Sequence, residues 1–166
     1  MKIRSRVLPF GWYPHSSREI QNQLDSYTTG VKPLPPGVKV YGGVIPHAGW
    51  YFSGRLAAQV FYLASRQPQP QVICLFGGHL QGSAPPLLVM EDAWETPLGP
   101  VPLASDMYQP LQEKIPCAPE EPGDNTLEIQ LPMIKYFFPQ AKVLAVRAPQ
   151  SQTAIRLGEA VVVVAQ

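Results

Sequence analysis

Val38-Lys39-Val40-Tyr41-Gly42-Gly43-Val44-Ile45-Pro46-His47-Ala48-Gly49 runs from a β-prone apolar segment into a loop closed by glycine. Val72-Ile73-Cys74-Leu75-Phe76-Gly77-Gly78-His79 repeats that order further along. The first run predicts a strand over Val38 to Ile45, ended by Pro46, which has no N–H to offer a ladder. Ser53 then predicts the N-cap of a helix whose Leu56, Val60, Phe61 and Ala64 share one face. Pro68 to Gln71 stop that helix, and Val72 to Phe76 is the continuous apolar run of a strand buried on both faces. Residues 38 to 77 therefore read as one βαβ unit.

The flanking sequence extends this alternation. Ser16-Ser17-Arg18-Glu19 is a capping-box pattern, with Ile20, Leu24 and Tyr27 following at helical spacing up to Gly30. Leu87 to Met90 predicts a strand, and Asp106 to Lys114 a helix interrupted by Pro110. Thr126 to Phe138 predicts a helix with Ile129, Met133 and Phe137 inward. Lys142 to Arg147 predicts a strand and Ser151 to Ala160 a helix. The run Val161 to Val164 either finishes that helix or starts a strand. Glu91, Asp92 and Glu95 around Trp94 read as a solvated loop. The expected fold is α/β, a largely parallel sheet flanked by helices, formed as one domain over residues 1–166.

Composition narrows the function. The chain has 166 residues, 45% of them hydrophobic, enough to close a core. Thirteen basic side chains against twelve acidic ones leave a net charge of +1, so nothing points to a polyanion, and neither nucleic acid nor membrane is expected as a partner. No apolar run reaches the ~18 residues of a membrane span, and Met1-Lys2-Ile3-Arg4 lacks a signal peptide's apolar stretch, so the expected location is cytoplasmic. Cys74 and Cys117 stand apart, without the spacing of a zinc cluster or a disulfide framework. Twenty prolines, about twice the usual share, separate the apolar segments.

The chain has three histidines, and two follow predicted parallel strands: His47 after the first of the βαβ unit and His79 after the second. Ligands of open parallel sheets bind at that edge, where loops converge and helix N-termini point. Two neutral imidazoles there suit a divalent transition metal such as iron, zinc or copper. The other reading of each is a loop histidine bonded to a backbone carbonyl. His15, beside Trp12-Tyr13-Pro14, either lines the same pocket or faces solvent before the first helix. Asp124 and Glu128 are the acid/base or third-ligand candidates, though Asp124 reads equally as a helix cap and Glu128 as a first-turn carboxylate. The sequence has no G-x-S-x-G, P-loop, G-x-G-x-x-G or C-x-x-C motif.

Five ordered motifs carry a family resemblance: Phe10-Gly11-Trp12-Tyr13-Pro14; Pro46-His47-Ala48-Gly49-Trp50-Tyr51-Phe52-Ser53-Gly54; Gly77-Gly78-His79; Thr96-Pro97-Leu98-Gly99; and Asp124-Asn125-Thr126-Leu127-Glu128-Ile129-Gln130-Leu131-Pro132. In this order they resemble the Memo family, which includes the proteins called AmmeMemoRadiSam system protein B and whose fold is similar to class III extradiol dioxygenases of the LigB type. The resemblance implies that His47 and His79 occupy the metal position of those dioxygenases and that Trp12 lines the pocket. In the dioxygenases, two His and one Glu hold non-haem iron(II), leaving positions open for catechol and dioxygen. In Memo proteins the third position is a Cys from a later strand, which neither Cys74 nor Cys117 matches. Asn125 stands where many relatives carry a His, which removes one proton-transfer group from the pocket. The motifs match only the N-terminal part of the family domain, so the fold is expected to be truncated at its C-terminal end.

Two functions follow. One is a metal-dependent, dioxygenase-like oxidoreductase whose missing ligand comes from water, Asp124, Glu128 or a second subunit of a homo-oligomer. The other is a non-catalytic binding module holding a peptide, anion or small molecule over a vestigial metal site.

Overall fold

A computed structural model describes all 166 residues. The elements in chain order are β1 (Ile3–Arg4), α1 (Ser17–Thr28), α2 (Trp50–Ser65), β2 (Val72–Leu80), β3 (Leu87–Leu88), β4 (Ala93–Trp94) and β5 (Val101–Pro102), followed by α3 (Tyr108–Lys114), β6 (Ala118–Pro119), α4 (Asn125–Glu128), α5 (Leu131–Phe137), β7 (Lys142–Pro149) and α6 (Gln152–Val164). Four strands form one sheet in the order β2-β7-β3-β6, and three form a second in the order β1-β4-β5. The long pairing, β2 with β7, is parallel, β6 lies parallel to β3, and β3 runs antiparallel to β7. The fold is thus α/β, with two sheets flanked by helices.

Strand β7 is the axis of the core. Val143, Leu144, Ala145 and Val146 are each fully buried, because both edges are paired and both faces are covered. One cluster of 33 buried apolar residues joins this strand to α1, α2, α5 and α6. At α1, Ser16 caps the helix by accepting from the Glu19 N–H, as the pattern predicts, while the Glu19 carboxylate bonds back to the Ser16 hydroxyl and not to its N–H.

Several elements differ from the sequence expectation, each for a local reason. Val38 to Ile45 is not a strand: no backbone N–H or C=O from Lys39 to Ile45 bonds to backbone or side chain. Helix α2 starts at Trp50 with Gly49 as N-cap, and the Ser53 hydroxyl donates back to the Ala48 carbonyl. Its buried face is Trp50, Gly54, Ala57, Ala58 and Phe61, leaving Leu56 62% exposed. The expected helix over 126–138 is divided into α4 and α5, because Pro132 fits a helix start and not an interior. Pro110 lies in the first turn of α3, where its missing N–H is harmless. Trp94 is a buried strand residue under the Arg4 guanidinium, 4.4 Å from its ring centre, and not part of a solvated loop. Val161 to Val164 complete α6.

Candidate functional site

The site forms where β2 loses register. β2 and β7 pair regularly up to Gly77 opposite Arg147, and pairing resumes at Leu80 opposite Pro149, so β2 carries one extra residue. Within that bulge His79 has φ 60°, the left-handed region, which is uncommon for any residue but glycine. The bulge re-aims the His79 side chain. Gly77 is needed for a different reason: a Cβ there would overlap the Thr126 hydroxyl and the Leu127 side chain of α4. Glycine at this position lets the N-terminus of α4 approach the strand end.

That approach brings Asp124 to His79. One Asp124 oxygen caps α4 by accepting from the Thr126 N–H at 2.9 Å and from the Thr126 hydroxyl. The other accepts from His79 Nδ1 at 2.9 Å and pairs with the Arg147 guanidinium at 3.2 Å. Burial acts to raise the Asp124 pKa, but the bonds from Thr126 and His79 and the charge of Arg147 outweigh it and hold the carboxyl below its ordinary range. An ionised carboxylate can only accept, so the neutral His79 ring carries its proton on Nδ1 and leaves the Nε2 lone pair free.

His47 reaches the same place from the loop before α2. Its ring centre lies 4.9 Å from that of His79 in an edge-to-face arrangement. The loop is pinned through its backbone: Asn125 Nδ2 donates to the His47 carbonyl at 2.6 Å, and Gln130 Nε2 to the Pro46 carbonyl at 2.9 Å. Trp50 Nε1 donates to the Ile129 carbonyl at 3.1 Å, fixing the start of α2 against the same α4–α5 corner. One short segment, Asp124 to Gln130, therefore positions both imidazoles.

Behind Asp124 runs a line of charge. Arg147 also donates from Nε to the Gly78 carbonyl at 3.0 Å and faces Glu120 at 3.5 Å; Glu120 in turn pairs with the buried Arg4. Arg147 and Glu120 went unnoticed in the sequence. The available signal was the place of Arg147 at the end of a predicted parallel strand, the edge that also carries His79.

The remaining candidates lie elsewhere. Glu128 is 1% exposed and accepts from the Val7 and Leu8 N–H groups and the Tyr13 hydroxyl, so it anchors the N-terminal segment. Burial and this carboxylate together push the Tyr13 phenol above its usual range. Trp12 and His15 line a separate cleft of about 630 Å³ whose wall includes neither His47 nor His79. Burial pushes both cysteine thiols up, away from the thiolate form. No group of three or more His, Cys, Asp or Glu side chains is placed to hold a metal ion.

This geometry defines an α/β domain with a paired-imidazole site at the end of β2 and the loop before α2, one imidazole oriented by a carboxylate. The family model described as Memo-like protein matches residues 8–166, and the chain belongs to that family. It is similar to a MEMO1 family protein of Pyrobaculum arsenaticum, 28% identical over 174 residues, covering 97% of this chain and 62% of the relative. A MEMO1 family protein of Methanosarcina barkeri is 34% identical over 140 residues, covering 83% and 51%. One from Methanopyrus kandleri is 28% identical, covering 98% and 63%. The chain thus spans less than two thirds of the length of these relatives. No helix is long and apolar enough to cross a membrane.

Proposed function

We propose that His47 and His79 bind one divalent transition metal, in a pocket of the kind used by non-haem iron extradiol dioxygenases. The observation that carries this reading is the contact of the two rings at 4.9 Å, with Asp124 holding the Nδ1 proton of one of them. A carboxylate behind a metal-binding histidine fixes its tautomer and raises its basicity. Two imidazoles supply two of the three donors of a facial triad, so further positions would fall to solvent, substrate or the rest of the family domain. A metal bound there supplies Lewis acidity or, as iron(II), the redox chemistry of catechol ring opening. The residues of this chain do the holding: Asp124 keeps the proton on Nδ1, Thr126 first and then Arg147 keep Asp124 ionised, and Asn125 and Gln130 keep the His47 loop in place.

The absence of a third protein donor favours a second reading, in which the pocket binds a small molecule, anion or peptide without metal. Zinc titration by calorimetry separates the two. The metal reading expects one zinc ion per chain, with affinity falling at least about tenfold in His47→Ala and in His79→Ala, and about 10–100-fold in Asp124→Asn. No zinc uptake by the unaltered chain would leave the second reading.

A further inference from the structure

The segment 39–45 and the outer edge of β2 face each other across a gap that neither fills. Between them lies a cavity of about 490 Å³, walled by Val40 to Gly43 and Ile45 on one side and by Val72 to Phe76 on the other, with Val60 and Phe61 of α2 beneath. No charged side chain lines it. Both walls present unpaired backbone. On the first, seven successive residues make no backbone hydrogen bond, although Tyr41 and Val44 are 91% and 96% exposed and the sequence is strongly β-prone. On the second, β2 pairs only with β7, and the Lys142 N–H to Gln71 C=O bond sets the alternation. Gln71, Ile73, Leu75 and Gly77 therefore face β7, and the N–H and C=O groups of Val72, Cys74 and Phe76 face the gap.

We propose that this gap is a slot for one extended, uncharged, aliphatic-rich polypeptide strand, supplied by the portion of the Memo-like domain that the relatives carry and this chain does not span. A bound small apolar molecule would cover Val60 and Phe61 but leave two rows of peptide groups unsatisfied, whereas a strand satisfies both rows at once. A second copy of this chain fits less well. Pairing its β2 edge with this one would form a continuous sheet and leave both 39–45 segments unbonded. Relatives 62% and 63% covered by this chain have further polypeptide to supply the strand. Once inserted, it is central in the sheet, with neighbours on both sides, so it has no interior proline and is apolar on both faces. It also turns Lys39 to Ile45 into the strand that the sequence predicts, immediately before His47.

The test is hydrogen exchange with mass spectrometry on the full chain, alone and mixed with the unmatched portion of the Pyrobaculum arsenaticum relative made as a separate polypeptide. In the free chain, amides from Tyr41 to Ile45 should exchange close to the unstructured rate. Addition should give a 1:1 complex and slow exchange in both 39–45 and 72–76 by about 100-fold or more. Tyr41→Pro and Val44→Pro lie at opposite alternations, so at least one removes a donor aimed at the slot. That variant should lose the slowing while the melting temperature of its free chain moves by no more than about 2 °C. Four results would overturn the proposal: slow exchange in the free monomer, slowing that depends only on the chain's own concentration, a complex that leaves these amides unprotected, or no complex.

Discussion

Strand β7 and the segment 39–45 are both short and rich in β-branched and apolar residues, yet their states are opposite. Val143 to Val146 are fully buried, with partners on both edges, whereas Lys39 to Ile45 have no backbone partner and Val44 is 96% exposed. Intrinsic preference does not separate them, because a strand is defined by what pairs with it and covers it. Both runs have β preference, but only β7 has its neighbours within this chain.

The largest effect should come from the buried charge line beside β7. Glu120→Ala takes from Arg4, whose side chain is 2% exposed, the nearer of its two carboxylate partners and leaves only Glu91 at 3.5 Å, and should cost about 3–5 kcal/mol in urea unfolding. Next is a direct contrast of the two β-prone runs. Leu144→Ala should cost about 2–5 kcal/mol, whereas Val44→Ala should stay within about 0.5 kcal/mol. Equal costs at the two positions would mean that segment 39–45 is packed after all.

The smallest effect lies outside both regions. Tyr136 donates to Asp25, and this bond first, then burial, pushes its phenol up to about 12 from an ordinary 10.0. Because the folded chain holds this proton more tightly than the unfolded one, the bond stabilises the fold fully below pH 10 and its contribution disappears as pH rises through 12. Ultraviolet titration should show one late-ionising tyrosine fewer in Tyr136→Phe.

Much of this was legible in the sequence. Ser16 and Glu19 announce α1 through local chemistry alone, and the place of His47 and His79 after two apolar runs suggests a shared edge. The aim of His79 was not legible, since it depends on a bulge that slips one residue against β7. Nor was Arg147 visible as part of the site, because only its register opposite Gly77 brings its guanidinium to Asp124. Asp124 read as either a cap or a site carboxylate, and its two oxygens divide those tasks. Glu128 looked available because sequence does not reveal the two N–H groups and the phenol that occupy it.

The most direct test of the paired-imidazole account is X-ray diffraction from crystals of this chain grown with zinc, recorded at the zinc absorption edge. The account predicts one anomalous peak about 2.0–2.1 Å from Nε2 of His79 and from a ring nitrogen of His47. A map with no peak there, or with zinc bound only to other residues, would contradict it.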